Sequence, residues 1–435
     1  MQYNRRQFIR QIAAGSSLLL TGCSGLQVKK SYSAHVVVVG GGFAGATAAK
    51  TIRQLDNMVK VTLIEPKSRY VTCPGSNWVL AGLTSLDSIR FSYQRLSTTY
   101  GIDVIAEQVE SVDAEKQTLV LANQDQINYD RLIMAPGIDF NWDSIDGYSA
   151  EAANQIPHAW QAGRQTEILR QQIHAMPDNG LIVISAPANP FRCPPGPYER
   201  ASLLAYYCQR HKPRAKILIL DHKRGFSKQA LFMQGWRRNY GYGTEQSLIE
   251  WQSITDNPVI AVSVKDKTLL TDFGDQIKAD VLNIIPAQKA GQIAASSGLT
   301  DNSGWCPVQP DTAESTLRDK IHVIGDAAIY PGIPKSAFAA NSEAKACAMA
   351  VVHLLKDKQP PEPVWINTCF SLLTPQQGIS VAMVYKLNQQ QQIYKVKGAG
   401  GVSSRTDSQS LHREAQIARN WYKSITQDVF ALKPF

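Results

Sequence analysis

The sequence predicts an α/β protein made of two parallel-sheet bodies, one inserted into the other, with a small α+β domain after them. Three observations carry that expectation. Strand-like and helix-like stretches alternate along the chain, the pattern of parallel sheets joined by crossover helices. The strand-like stretches at 36–39, 61–64 and 181–184 are close to continuous apolar runs, as expected of strands buried on both faces. At 435 residues the chain is also too long for one ordinary core.

Bulk composition narrows the function. Apolar residues make up 44% and charged residues 19%, a composition that can fold around a core. The net charge is +9, part of it in Arg5, Arg6 and Arg10. The remainder suits an acidic protein partner or an anionic substrate, and equally a plain basic surface. No basic stripe is interleaved with aromatic residues and no recognition-helix or finger motif occurs, so nucleic-acid binding is not expected. None of the seven cysteines (23, 73, 193, 208, 306, 347 and 369) falls in a CxxC pair, which argues against zinc and iron–sulfur sites. There is no CxxCH, so no haem is attached covalently to this chain.

The first residues, 1–33, read as an export segment and mature N-terminus. A charged start is followed by a short, interrupted apolar run and then small residues, too short to span a membrane. Arg5-Arg6 followed by Gln7-Phe8-Ile9 resembles a twin-arginine signal, with Asn4 where Ser or Thr is usual. Leu20-Thr21-Gly22-Cys23 resembles a lipobox, which implies a lipidated Cys23 holding a periplasmic protein at a membrane surface. The other reading is a plain cleaved leader with an incidental cysteine.

After the strand at Val36–Val39 comes Gly40-Gly41-Gly42-Phe43-Ala44-Gly45 and then a helical stretch, Ala46–Leu55. Gly40, Gly42 and Gly45 thus form GxGxxG between a strand and a helix. The glycines permit the tight turn, the close approach to a pyrophosphate and the close helix–strand packing. The strand Val61–Ile64 ends in Glu65, about 20 residues on, where an acid accepts ribose hydroxyls. This is a Rossmann-like dinucleotide site.

Two later segments choose FAD over NAD. Tyr129–Gly137 is a strand running into Ala135-Pro136-Gly137, and Ile321–Asp326 is a strand ending in Gly-Asp. They resemble the later signatures of flavoproteins with two dinucleotide domains, glutathione-reductase-like in plan. By that resemblance Asp326 bonds the FAD ribityl chain; a helix N-cap is its other possible role. An NAD(P)H site requires a second glycine-rich turn in the inserted body. The strand Leu181–Ile184 is instead followed by Ser185-Ala186-Pro187-Ala188-Asn189-Pro190, with no glycine and with prolines that cannot donate N–H bonds. No NAD(P)H is expected as donor.

Beyond Glu65 stands Cys73-Pro74-Gly75-Ser76-Asn77, and farther on Arg192-Cys193-Pro194-Pro195-Gly196-Pro197-Tyr198-Glu199-Arg200 and Asn367-Thr368-Cys369-Phe370-Ser371. These segments, with Gln377–Tyr385 and Asn420–Phe430, resemble the flavoprotein subunit of flavocytochrome c sulfide dehydrogenase over residues 33–435. The resemblance implies that Cys73 anchors FAD through a thioether and that Cys193 and Cys369 form a redox-active disulfide. It also implies that the helix opening at Lys335-Ser336 points its N-terminus at the flavin, with Lys335 adding charge. Read from the residues alone, Cys73 is equally a buried inert thiol, the cysteine pair a structural cross-link and Lys335 a solvated lysine. Cys193 precedes a helix N-terminus and adjoins Arg192, and both features favour a thiolate.

The expected domains are 34–148 with 270–355 for FAD, 149–269 for the inserted body, and 356–435 for the C-terminal domain, joined through Lys356–Pro363. No internal repeat is read. The activity implied is oxidation of sulfide to polysulfide or sulfur, with electrons passed to a separate c-type cytochrome subunit. Two alternatives share the cysteine chemistry. A sulfide:quinone oxidoreductase needs an apolar, membrane-inserting C-terminus, whereas 413–435 is amphipathic and charged. A flavoprotein partner of a sulfur-oxidising carrier complex would direct its thiols at a protein disulfide.

Overall fold

The computed structural model describes residues 32–431. The export segment and Cys23 lie outside the described residues, except for Tyr32 and Ser33. The α/β expectation holds, in two sheets of parallel strands.

The first sheet has five strands in the order Ile321–Val323, Arg131–Met134, Ala34–Val39, Val59–Ile64, Asp103–Ile105, all parallel. Val36, Val37 and Val38 are fully buried, as a strand covered on both faces requires. Helix Phe43–Leu55 begins four residues after the strand Ala34–Val39 ends, and it packs chiefly through small side chains, among them Ala46, Ala48 and Ala49. The chain then leaves the sheet through a three-stranded antiparallel meander, Val109–Asp113, Thr118–Leu121 and Gln126–Asn128, and returns as Arg131–Met134 beside the first strand.

The second sheet repeats this plan. Its four parallel strands run in the order Ile249–Ser253, Lys216–Asp221, Leu181–Ala186, Val281–Ile284. A second meander, Val259–Ser263, Thr268–Thr271 and Gln276–Lys278, again precedes the strand that returns beside the first. The fold therefore contains a structural repeat that the sequence reading missed. Its trace is Asp125-Gln126-Ile127 and Asp130 in one body against Asp275-Gln276-Ile277 and Asp280 in the other.

The expected boundary at 269/270 needs correction. Val281–Ile284 pairs with Leu181–Ala186, so its backbone hydrogen bonds belong to the inserted body, which extends past residue 284. The chain rejoins the first sheet only at Ile321–Val323.

The C-terminal domain is a three-stranded antiparallel sheet, Trp365–Thr374, Gln377–Leu387 and Ile393–Val402, with helix Ser408–Phe430 laid against it. Asp407 caps that helix by accepting from the Ser410 N–H. Leu411, Ala415, Ala418, Tyr422, Ile425, Val429 and Phe430 form its buried face. The amphipathic tail thus spends its apolar side on its own chain. Among the described residues, no helix is long and apolar enough to cross a membrane.

Candidate active site

The glycine-rich turn is shaped by backbone contact. Gly40 has φ +99°, and a Cβ there would lie 2.3 Å from the Ala135 carbonyl oxygen; one on Gly45 would lie 1.9 Å from the Gly40 carbonyl oxygen. Neither position admits a side chain while the strand and helix keep this spacing. Glu65 stands at the end of its strand and accepts the Gly41 N–H at 2.9 Å.

A cavity of about 1250 Å³, counted with the open solvent at its mouth, lies beside this turn. Gly42, Ala135, Gly137, Asp326 and Ser336 line it, and so do Cys73, Cys193 and Cys369. Gly40, Gly45 and Glu65 build the turn behind its wall. The lining fits a dinucleotide flavin on two grounds. The turn leaves bare backbone where a pyrophosphate needs it. Asp326 Oδ1 is buried without a hydrogen-bond partner, the state of a carboxylate oxygen awaiting a ligand hydroxyl. Burial holds the Asp326 carboxyl above its ordinary range, against the pull of Arg192 and Lys335.

The three cysteines reach the cavity from three parts of the fold. Cys73 precedes helix Ser76–Leu80 and its Sγ donates to the Trp160 carbonyl at 3.4 Å. The Arg192 guanidinium donates to the same carbonyl and lies 3.8 Å from the Asp326 carboxylate. Cys193 sits just before helix Gly196–His211 in the left-handed region, φ +56°, its N–H donating to the Lys335 carbonyl at 2.8 Å. Cys369 lies in the strand Trp365–Thr374 of the C-terminal sheet. Cys193 and Cys369 are free thiols here, and the charge of an ionised Cys369 acts on Cys193.

Two expectations are corrected. Burial pushes the Cys193 thiol far above its ordinary value, with Cys369 and Glu199 adding to the effect and Arg192 opposing it. Desolvation thus outweighs the helix terminus and the neighbouring arginine. Lys335 does not line the cavity: its Nζ donates to the Ala328 carbonyl at 2.8 Å and lies 3.9 Å from the centre of the Trp305 ring. Burial lowers its pKa, and its charge still acts on Asp326. Ser336 does line the cavity; it caps helix Ala337–Leu354 and donates to Asn367 Oδ1 at 2.6 Å.

Three charged residues that sequence reasoning did not single out stand around the thiols. Glu199 accepts the Leu372 N–H at 2.9 Å and the Asn77 side chain at 3.1 Å, and burial raises its pKa. The fully buried Arg200 donates to Asn77 Oδ1, Asn283 Oδ1 and the His158 and Ala159 carbonyls, and so ties the Cys73 segment to the helix after Cys193. Lys228 donates from Nζ to the Cys369 carbonyl. A usable sign was Asn283, a polar residue inside the apolar run Val281–Ile285.

In the inserted body the cleft corresponding to the glycine-rich turn is filled by the chain's own side chains. Asp221 ends its second strand, as Glu65 ends the first body's. It is fully buried and accepts from Tyr198 at 2.6 Å, Trp251 at 2.9 Å and Lys223 at 2.6 Å. Lys223 also donates to the Pro187 carbonyl at 2.6 Å.

Comparison with known proteins identifies the family. The model for "Sulfide dehydrogenase [flavocytochrome c] flavoprotein chain, central" matches residues 166–286, and "Flavocytochrome c sulphide dehydrogenase, flavin-binding" matches 361–430. The sulfide dehydrogenase [flavocytochrome c] flavoprotein chain of Chlorobaculum thiosulfatiphilum is 64% identical over 45 residues, 10% of this chain and 94% of that sequence. The chain belongs to the flavocytochrome c sulfide dehydrogenase flavoprotein family. A broader model, "Pyridine nucleotide-disulphide oxidoreductase", matches 34–175. The mitochondrial sulfide:quinone oxidoreductase of Schizosaccharomyces pombe is 25% identical over 343 residues, 72% of each chain. The solved sulfide:quinone oxidoreductase of Aquifex aeolicus superposes with a TM-score of 0.68 at 18% identity, over 92% of this chain and 93% of that one, a likeness of fold.

Proposed function

We propose that this flavoprotein oxidises hydrosulfide to polysulfide or sulfur through a Cys193–Cys369 redox pair and passes the electrons to a c-type cytochrome subunit. The observation that carries the reading is the convergence of Cys73, Cys193 and Cys369 on the cavity that the glycine-rich turn and Asp326 serve. FAD, when bound, takes up electrons in pairs and releases them singly. Gly42, Ala135, Gly137, Asp326 and Ser336 would hold it, and Cys73 would tether it through a thioether to the flavin.

Hydrosulfide sulfur forms a bond to Cys193 Sγ, the Cys193–Cys369 bond breaks, and its electron pair leaves on Cys369 Sγ. The incoming sulfur is oxidised to persulfide as the disulfide is reduced to one thiolate. Glu199, a carboxyl whose affinity for a proton is raised by burial, takes the persulfide proton. Arg192 and Arg200 place positive charge beside the cysteines.

Export through the twin-arginine-like segment and lipidation at Cys23 belong to the same reading, because a periplasmic site keeps a disulfide available. A quinone is the second candidate acceptor, favoured by the sulfide:quinone oxidoreductases among the relatives. The buried face of helix Ser408–Phe430 speaks for the cytochrome, since that face is already used within the chain. The test is sulfide-driven turnover with cytochrome c and, separately, with a soluble quinone. Cytochrome reduction at least about ten-fold faster is expected, and faster quinone reduction would overturn the acceptor assignment. Mass spectrometry of the unfolded protein tests the tether, which predicts a flavin-bearing peptide containing Cys73.

A further inference from the structure

Lys228 is a buried lysine to which the proposed function assigns no role. Its side chain is enclosed between the inserted body and the C-terminal sheet. Nζ donates to the Cys369 carbonyl at 2.9 Å and to Ser371 Oγ at 2.8 Å, and it faces the Phe232 ring at 5.7 Å. No carboxylate lies within ion-pair distance among the described residues. Burying an ammonium without an anion is costly, and proteins ordinarily avoid it. Lys228 also holds a left-handed backbone conformation, φ +62°, at the start of helix Gln229–Tyr240. Both features call for compensation elsewhere.

The compensation is a charge that comes and goes. The ionisable groups acting on Lys228 are Cys369 first, then Glu199, Cys193 and Glu414, all of one sign when ionised. Burial lowers the lysine's pKa to about 8, which leaves it largely protonated at neutral pH. Both hydrogen-bond acceptors are on the strand that carries Cys369, so the ammonium is fixed relative to that cysteine. Hydrosulfide is an anion, and its attack on the disulfide leaves a negative charge inside this site.

We propose that Lys228 is a positioning residue that holds the Cys369 strand and supplies the countercharge for the thiolate formed at Cys369 when the Cys193–Cys369 pair opens. The inference rests on the sulfide-oxidising reading above. It also gives the pair a direction: Cys193 takes the sulfur and Cys369 leaves.

The test needs no sulfide. The reduced holoprotein is alkylated with iodoacetamide from neutral to alkaline pH, and the modification at Cys369 is followed by peptide mass spectrometry. Lys228→Met, which keeps the apolar stem and removes the charge, should slow Cys369 alkylation about ten-fold at neutral pH and move its midpoint upward. Lys228→Arg should restore most of the rate. The melting temperature of Lys228→Met, measured beside the alkylation, establishes that the variant is folded. A folded Lys228→Met with a native Cys369 profile would overturn the proposal. If Lys228→Met does not fold, Lys228→Gln, which keeps a hydrogen-bond donor and removes the charge, decides: slowed Cys369 alkylation in it supports the proposal, and a native profile overturns it. Sulfide consumption, measured separately, reports on the sulfide-oxidising reading itself, so the two fail independently.

Discussion

The two parallel-sheet bodies share one plan and differ at the place where a dinucleotide sits. In the first, three residues separate strand Ala34–Val39 from helix Phe43–Leu55, and all three are glycine. In the second, nine residues separate Leu181–Ala186 from Gly196–His211, and they carry Phe191, Arg192 and Cys193. The acid that ends the second strand differs as well. Among the described residues, the Glu65 carboxylate accepts hydrogen bonds from backbone N–H groups alone, those of Gly41 and Lys67. Asp221 is buried under Tyr198, Trp251 and Lys223. One body keeps a bare backbone for a ligand; the other has turned the same place into core and extended the loop to deliver a cysteine.

Changes on the two sides should therefore have different consequences. The largest effect is expected at Gly45→Val, where the new side chain meets the Gly40 carbonyl. A loss of more than about 3 kcal/mol and near-zero flavin per protein should result, read from the visible absorbance of the purified protein. A fully flavinated Gly45→Val protein would break the comparison on the first body's side.

Asp221→Ala should come next. It leaves Lys223 buried without its anion and should cost about 3–5 kcal/mol in chemical denaturation, while the folded fraction keeps its flavin. Flavin loss at unchanged stability would mean that Asp221 serves a ligand and is not part of a packed plug.

A pH series sharpens the comparison further. Among the described residues the most deeply buried histidines are His158, its pKa lowered to about 3, and His322, its pKa lowered to about 4, one in each body and both chiefly by desolvation. The unfolded chain binds these protons near 6.5 and the folded chain does not, so each histidine makes stability fall as pH drops from about 6.5. The buried acids Glu199, Asp326 and Glu343 shift upward and act in the opposite sense. A native-minus-variant difference cancels their contribution. His158→Asn or His322→Asn should each remove about 1.4 kcal/mol per pH unit of slope between roughly pH 6 and 4. An unchanged slope would show that the histidine is already protonated in the fold.

The smallest effect is expected at Pro187→Gly, under about 1 kcal/mol and with full flavin content, because Asp221 and its partners already fill the place beside that turn. NADH should reduce the flavin of this variant no faster than that of the native protein.

The dinucleotide turn, the Gly-Asp strand end and the convergence of Cys73, Cys193 and Cys369 were legible in the sequence. The turn announces itself through local backbone demands; the cysteines became legible through family resemblance. What stayed hidden is long-range. Lys228 meets Cys369 across 141 positions and Glu199 meets Leu372 across 173, and neither contact leaves a local pattern. Lys335 stands at the expected helix start, but its rotamer follows the Trp305 ring and the Ala328 carbonyl, which sequence order does not reveal. The thiolate expectation for Cys193 weighed the neighbours in sequence and could not weigh burial. The repeated meander leaves only a short trace, Asp125-Gln126-Ile127 against Asp275-Gln276-Ile277.

The central claim is that the chemistry happens at the cysteine pair in the flavin cavity. Its most direct test is anaerobic addition of sulfide to the flavin-loaded protein and to Cys193→Ser, following the flavin absorbance. Rapid bleaching of the native protein, at least about a hundred-fold slower in Cys193→Ser with flavin content unchanged, is the predicted result. Equal bleaching of the two proteins, or none in either, would contradict the claim.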